Sequence, residues 1–389
     1  MSVYGIVSEF NPFHNGHKYL IDSARADGAE AVVCVMSGES VQRGELALTD
    51  KYRRAEMALR SGADLVLELP FPWCSSGAES FARAGVRIAA EFSDRLFFGS
   101  ECGDLALLES AAKICGSEEF AEKYKSRLVG NTGAAEVYFG LLEERLGKKF
   151  SSNDILGIEY IKAARELGCD IGFGTVARLG GGYLDEGMVE GELQSATAIR
   201  KKLIEGGIDS VLDYMPPEAA EILGRAFEEG EISDMGKVAD AMRLYFRLLH
   251  PEDLAGIADL DDGLAARICR AARESVYDDM LDLLRTKRYT DSRLRRAMLF
   301  CIAGVKKDDI TAPPAYVNLL GANSRGCKLL ADKRKDMAIP VLAKAADIPD
   351  TAGARRQAEL SERLCALYSM SLLRERPMSD MMRRSPIII

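Results

Sequence analysis

Two of the chain's three histidines, His14 and His17, stand three residues apart in the string Asn11-Pro12-Phe13-His14-Asn15-Gly16-His17. Pro12 ends any strand that arrives here, and Gly16 offers bare backbone where a phosphate or a flat base could come close. If a helix starts near Asn15, the two imidazoles share one face of its first turn. That turn carries free N–H groups and a partial positive charge, a ready anion site. Imidazole donors beside it would stabilise oxygens whose charge grows during displacement at phosphorus. A plain structural turn would read the same way; the position just after the first strand favours chemistry, because ligands of open α/β sheets lie at the carboxyl ends of strands.

A second anion site is legible further on. Ser195 would cap a helix running to about Leu203, so the hydroxyls of Ser195 and Thr197, the first N–H groups and Arg200 could cradle a second phosphate. Arg178 falls after a strand and before Gly180-Gly181-Gly182, as either a solvated loop residue or a bidentate phosphate clamp. Gly99, at another strand's end, is either a turn glycine or bare backbone under an adenine ring; Asn153 is either a helix cap or a ligand. No spacing of protein ligands for a fixed metal is visible.

Alternating elements must position these groups. Strands are expected at 4–8, 31–36, 64–69, 95–98 and 171–176, the last of the sheet. Between them, helices are expected at 18–26, 50–60 with Asp50 as cap, 77–91, 104–115, 118–128, 134–146 and 153–167. Strands separated by helices imply right-handed crossovers and a parallel sheet. Beyond Gly206 the strand signal nearly vanishes, and helices are expected at 217–229, 235–249, 262–287, 290–304, 324–335 and 353–373. The expected fold class is α/β: a parallel-sheet domain over 1–206, then a mainly helical domain over 207–389.

Composition narrows the setting. A chain of 389 residues with 47% hydrophobic content can bury a sizeable core. Nine scattered cysteines without a C-x-x-C pair argue for free thiols in a reducing cytosol, against a zinc ribbon or disulfide scaffold. With no signal peptide and no apolar run of membrane length, a cytoplasmic protein without membrane contact is expected. The net charge of −9 conceals a split: residues 281–389 hold 21 Lys+Arg against 12 Asp+Glu, a balance of +9, and the rest of the chain carries −18. The basic strings there include Arg288, Arg295 and Arg296, and Arg288-Tyr289-Thr290 sets an aromatic ring beside charge, as single-stranded RNA loops favour.

His14-Asn15-Gly16-His17 resembles the HxGH signature of the nucleotidyltransferase superfamily. Five strings in order, Gly5 to His17, Gln42-Arg43-Gly44-Glu45, Gly62 to Pro70, Asn153 to Tyr160 and Ser195 to Arg200, are together similar to the bacterial tRNA(Met) cytidine acetate ligase family. The resemblance implies a Rossmann-like nucleotidyltransferase fold and ATP as substrate, accompanied by Mg²⁺, with no fixed metal or organic cofactor. It implies activation of acetate as acetyl-adenylate and transfer of the acetyl group to the wobble cytidine of elongator tRNA(Met). Carried over by position, ATP would meet the run Val7, Ser8, Glu9, Phe10, Asn11, Pro12, Phe13, His14, Asn15, Gly16, His17, Lys18, Tyr19 and Leu20, then Gly99, Asn153 and Arg178. Ser195, Thr197 and Arg200 resemble the C-terminal phosphate motif of small nucleotidyltransferases. His14 and His17 would be the catalytic pair, and Arg288, Arg295 and Arg296 would touch tRNA.

The chain departs from the family pattern after Met36-Ser37-Gly38, where Glu39 and Ser40 replace Asn-Phe, and after Glu45, where Leu46 replaces Pro. A carboxylate at position 39 would repel acetate unless it points away. The rival readings are a small-molecule adenylyltransferase, which needs no basic helical domain, and a tRNA-binding protein without chemistry, which needs neither histidine.

Overall fold

The computed structural model describes residues 1–128, 133–178, 194–274, 277–286 and 289–389. The apolar runs of the first half become strands β1 (Val3–Ser8), β2 (Ala31–Ser37), β3 (Leu65–Leu69), β4 (Arg95–Ser100) and β5 (Gly172–Ala177), all parallel. Runs without polar alternation suit strands covered on both faces. Helices α1 (Asn15–Ala26) and α2 (Lys51–Arg60) cover one face. Helices α3 (Ala78–Ala90), α4 (Leu105–Cys115), α5 (Glu118–Arg127), α6 (Ala134–Leu146) and α7 (Ser152–Leu167) cover the other. Asp50 caps α2 as expected, accepting from the Tyr52 and Arg53 N–H groups.

After α8 (Ala196–Gly206), the chain continues through α9 (Pro217–Glu228), α10 (Gly236–Leu248), α11 (Asp262–Glu274), α12 (Tyr277–Leu284), α13 (Asp291–Ala303) and α14 (Lys307–Thr311). Then come β6 (Val317–Ala322), α15 (Ser324–Lys333), β7 (Val341–Leu342), α16 (Ala352–Ser371), α17 (Met378–Met382) and β8 (Ile387–Ile388). Thus 171–176 is not the last strand. β6 pairs antiparallel with β3, and β7 and β8 pair parallel with β6. The six residues of β6 lie outside every element expected from sequence, and the open edge of β3 supplies their hydrogen bonds. The helix expected over 262–287 is two helices, α11 and α12. Asn153 is not a cap either: Ser151 caps α7 in a capping box with Asp154.

The order across the sheet is β5-β4-β1-β2-β3-β6-β7. β2 and β3 extend it to one side of β1, β4 and β5 to the other, so the strand order reverses between β1 and β4. The crevice at their carboxyl ends is where such folds bind ligands.

Candidate active site

From β1 the chain turns through Phe10, whose φ is +46°. Phe10 and Phe13 are fully buried, and their rings pack against the His17 imidazole with centroids 4.9 and 5.5 Å away. His14 is the N-cap of α1: its Nδ1 accepts from the Gly16 N–H at 3.0 Å, and the His17 Nδ1 accepts from the His14 N–H at 3.2 Å. The two imidazoles lie 3.7 Å apart, centroid to centroid. A Cβ on Gly16 would stand 2.8 Å from His14 Cε1, so the bare backbone makes room for the imidazole, and Gly16 also lines the cleft beside it.

Burial, with the charges of Arg178 and Arg200, pushes His14 down to about 3. Burial, then His14 and Arg178, hold His17 well below the usual imidazole range. Both rings are therefore neutral near pH 7. Because each Nδ1 accepts, the hydrogen-bond network assigns each proton to Nε2. The pair offers two neutral N–H donors held by backbone, an arrangement suited to charge that develops on a phosphoryl group.

These rings open on a cleft. Of the residues expected around ATP, Val7, Ser8, Glu9, Phe10, Asn11, His14, Gly16, His17, Tyr19, Leu20, Gly99, Asn153, Arg178, Ser195, Thr197 and Arg200 line it. Pro12, Phe13, Asn15 and Lys18 do not. Phe13 is core, the Asn15 side chain donates to the Asp213 carbonyl, and Lys18 pairs with Asp22. Gly99 carries the stem of Arg178, whose Cγ lies 3.2 Å from where a Cβ would stand. Asn153 donates its Nδ2 to Glu101 at 2.6 Å.

Ser195 caps α8, accepting from the Ala198 N–H. One turn on, Arg200 donates to the Asn11 carbonyl at 2.8 Å and to Glu45 at 3.0 Å. The other Glu45 oxygen accepts from Arg295 on α13, also at 3.0 Å. Gly44, with φ +74°, brings this loop onto α13: a Cβ there would lie 2.4 Å from the Arg296 N. Arg296 itself pairs with Asp259 and donates to the Gln42 carbonyl. Arg295 and Arg296 thus brace the cleft's loop, while Arg288 lies outside the described residues.

Beneath the cleft, Arg54 is fully buried and donates to the carbonyls of Glu9, Ser37, Gly38 and Thr49, clamping the ends of β1 and β2. Glu9 accepts from the Gln42 N–H at 2.8 Å, and burial raises its carboxyl above the ordinary range. Glu39 points away from the cleft and is held by Lys51 at 3.0 Å; Ser40 is fully buried and accepts from Ser75. The cleft-lining residues not assigned to the site from sequence include Gln42, Arg43, Glu45, Phe81, Phe98, Leu156 and Tyr160. Leu156 and Tyr160 stand three and seven beyond Asn153, a spacing that marks one face of a helix; Phe81 carried no such signal. Among the described residues, no group of three His, Cys, Asp or Glu side chains could hold a metal ion, and no helix is long and apolar enough to cross a membrane.

The family described as HIGH Nucleotidyl Transferase matches residues 1–381. The chain is 38% identical to a tRNA(Met) cytidine acetate ligase of Caldanaerobacter subterraneus subsp. tengcongensis and 36% to one of Acetivibrio thermocellus, each match covering 89% of both chains. Its fold is similar to that of Thermotoga maritima TmcAL without ligand (TM-score 0.94) and bound with alpha-thio ATP (TM-score 0.90), at 32% identity over 100% of both chains.

Proposed function

Since the chain belongs to the tRNA(Met) cytidine acetate ligase family of HIGH nucleotidyl transferases, we propose that it is an ATP-dependent ligase that acetylates N4 of the wobble cytidine of elongator tRNA(Met). One observation carries the reading at the level of chemistry: the His14–His17 pair and the start of α8, far apart in sequence, converge on one cleft.

ATP lies across that cleft. A carboxylate oxygen of acetate attacks the α-phosphorus, an O–P bond forms, and pyrophosphate leaves with the electron pair of the broken bond. The two Nε2–H donors meet the charge that grows on the α-phosphoryl oxygens, and Arg200, Ser195, Thr197 and the α8 N-terminus hold the departing pyrophosphate. In the second step N4 of cytidine attacks the acetyl carbon and AMP leaves. Residues 1–206 carry this chemistry, and the mainly helical 207–389 meets tRNA through its basic strings, with Arg288, Arg295 and Arg296 the candidate contacts. Mg²⁺ enters with ATP, and the enzyme works in the cytoplasm, where its tRNA is.

The test is the reaction. Labelled pyrophosphate should exchange into ATP only when acetate is present, and tRNA(Met), ATP and acetate together should yield N4-acetylcytidine. Exchange in the absence of any acid, or no exchange with any acid tried, would remove the ligase reading.

A further inference from the structure

The rim of the sheet divides the cleft into two sides, because alternate side chains of a strand face opposite ways. On the α1 side stand the histidine pair, Leu20 and Val176, over the core that also takes Phe97 and Ile199. Arg178 and Arg200, whose charges act on His14, and the start of α8 belong to this side. On the other side Val7 of β1, Phe81 of α3, Phe98 of β4, and Leu156 and Tyr160 of α7 form a wall over the second core. Phe81, Phe98 and Tyr160 are almost wholly buried, and the Phe98 and Tyr160 rings are 5.7 Å apart.

A triphosphate engages the side that holds the donors. The wall opposite offers apolar surface to the part of a second substrate that carries no charge. In an acid activated at the α-phosphorus, the carboxylate must sit by the histidines, so its carbon chain points across the rim. We propose that Val7, Phe81, Leu156 and Tyr160 form the acyl-group pocket and that Phe81 and Leu156 limit the acid to a short chain. The assignment rests on the ligase reading and names where its acid is selected.

Leu156→Ala and, separately, the milder Phe81→Leu test it, with pyrophosphate exchange measured on acetate, propionate and butyrate. The ratio of kcat/KM for propionate over acetate should rise about tenfold or more, the worth of one methylene in an apolar pocket, and by more than any change in KM for ATP. An unchanged ratio in both variants overturns the pocket. If KM for ATP rises instead, the wall holds adenine; if only transfer from a preformed adenylate to tRNA slows, it holds the cytosine. If the unaltered enzyme shows no acid-dependent exchange, the ligase reading itself falls, and the pocket with it.

Discussion

His14 and His17 work as a pair because each ring's Nδ1 is already occupied by a backbone N–H. His17→Ala should slow acetate-dependent exchange by about a hundredfold or more, the effect of losing a donor to a developing oxyanion; unimpaired exchange would make the motif a turn and nothing else. The lowered pKa has a sign that can be checked. With His14 at about 3 in the folded state and about 6.5 when unfolded, the unfolded chain binds the extra proton between those values. The ligand-free protein therefore loses stability as pH falls from about 6.5 towards 3. Replacing His14 by Gln should flatten that pH dependence of the urea midpoint, and the His14 ring C–H signals should hold constant in NMR spectra between about pH 5 and 8. Parallel curves for the two proteins would contradict the assignment. Glu39 gives the opposite kind of result. Its carboxylate faces Lys51, away from the cleft, so Glu39→Asn should leave KM for acetate nearly unchanged; a large improvement would mean that its charge reaches the acid after all.

The loop from Gly38 to Ala47 joins the two halves of the chain, through Glu45 between Arg200 and Arg295 and through Gly44 against the α13 backbone. Gly44→Ala places a Cβ both in a left-handed conformation and against main chain. The backbone strain alone is of order 1–3 kcal/mol, and urea unfolding should show at least that loss. The same chain of contacts changes the outlook for the arginines of α13. Read from sequence, their replacement should touch tRNA alone; without Arg295, however, Glu45 loses one of its two arginine partners and its loop loses a tie to α13 beside Arg200, so Arg295→Ala should weaken ATP binding as measured by titration calorimetry. ATP affinity identical to that of the unaltered protein would show that the bridge is idle.

Two consequences concern the molecule as a whole. Strand β6 covers the edge of β3, and Asn318 and Asn323 bond to Glu68 and Asp64 from beyond Gly206. Residues 1–206 expressed by themselves would leave that edge open and take one partner from each of those carboxylates, so the fragment should aggregate; a soluble, cooperatively melting fragment would refute this. The +9 balance of residues 281–389 makes the second consequence electrostatic. Affinity for tRNA should fall about tenfold or more between about 50 and about 200 mM salt, because counterions are released on binding, and the triple change of Arg288, Arg295 and Arg296 to Ala should shallow that slope. Affinity indifferent to salt would argue that tRNA is held elsewhere.

Much of this protein is written locally. The His-x-Gly-His turn, the caps at Asp50 and Ser195 and the five parallel strands depend on spacing, propensity and hydrogen bonds within a few residues, and all are present as read. What neighbours in sequence could not reveal depends on partners far along the chain. β6 is a strand because β3 leaves an edge unpaired. Gly44 is small for the sake of a helix some 250 residues away, as the Arg295–Glu45 separation records. The direction of Glu39 was decided by Lys51 and the Arg54 clamp beneath it, and Phe81 entered the cleft only through the packing of α3 beside α7. Local chemistry sets which groups can act; long-range packing sets which way they face, because a side chain's direction follows the cheapest partner for its charge or surface once the core has closed.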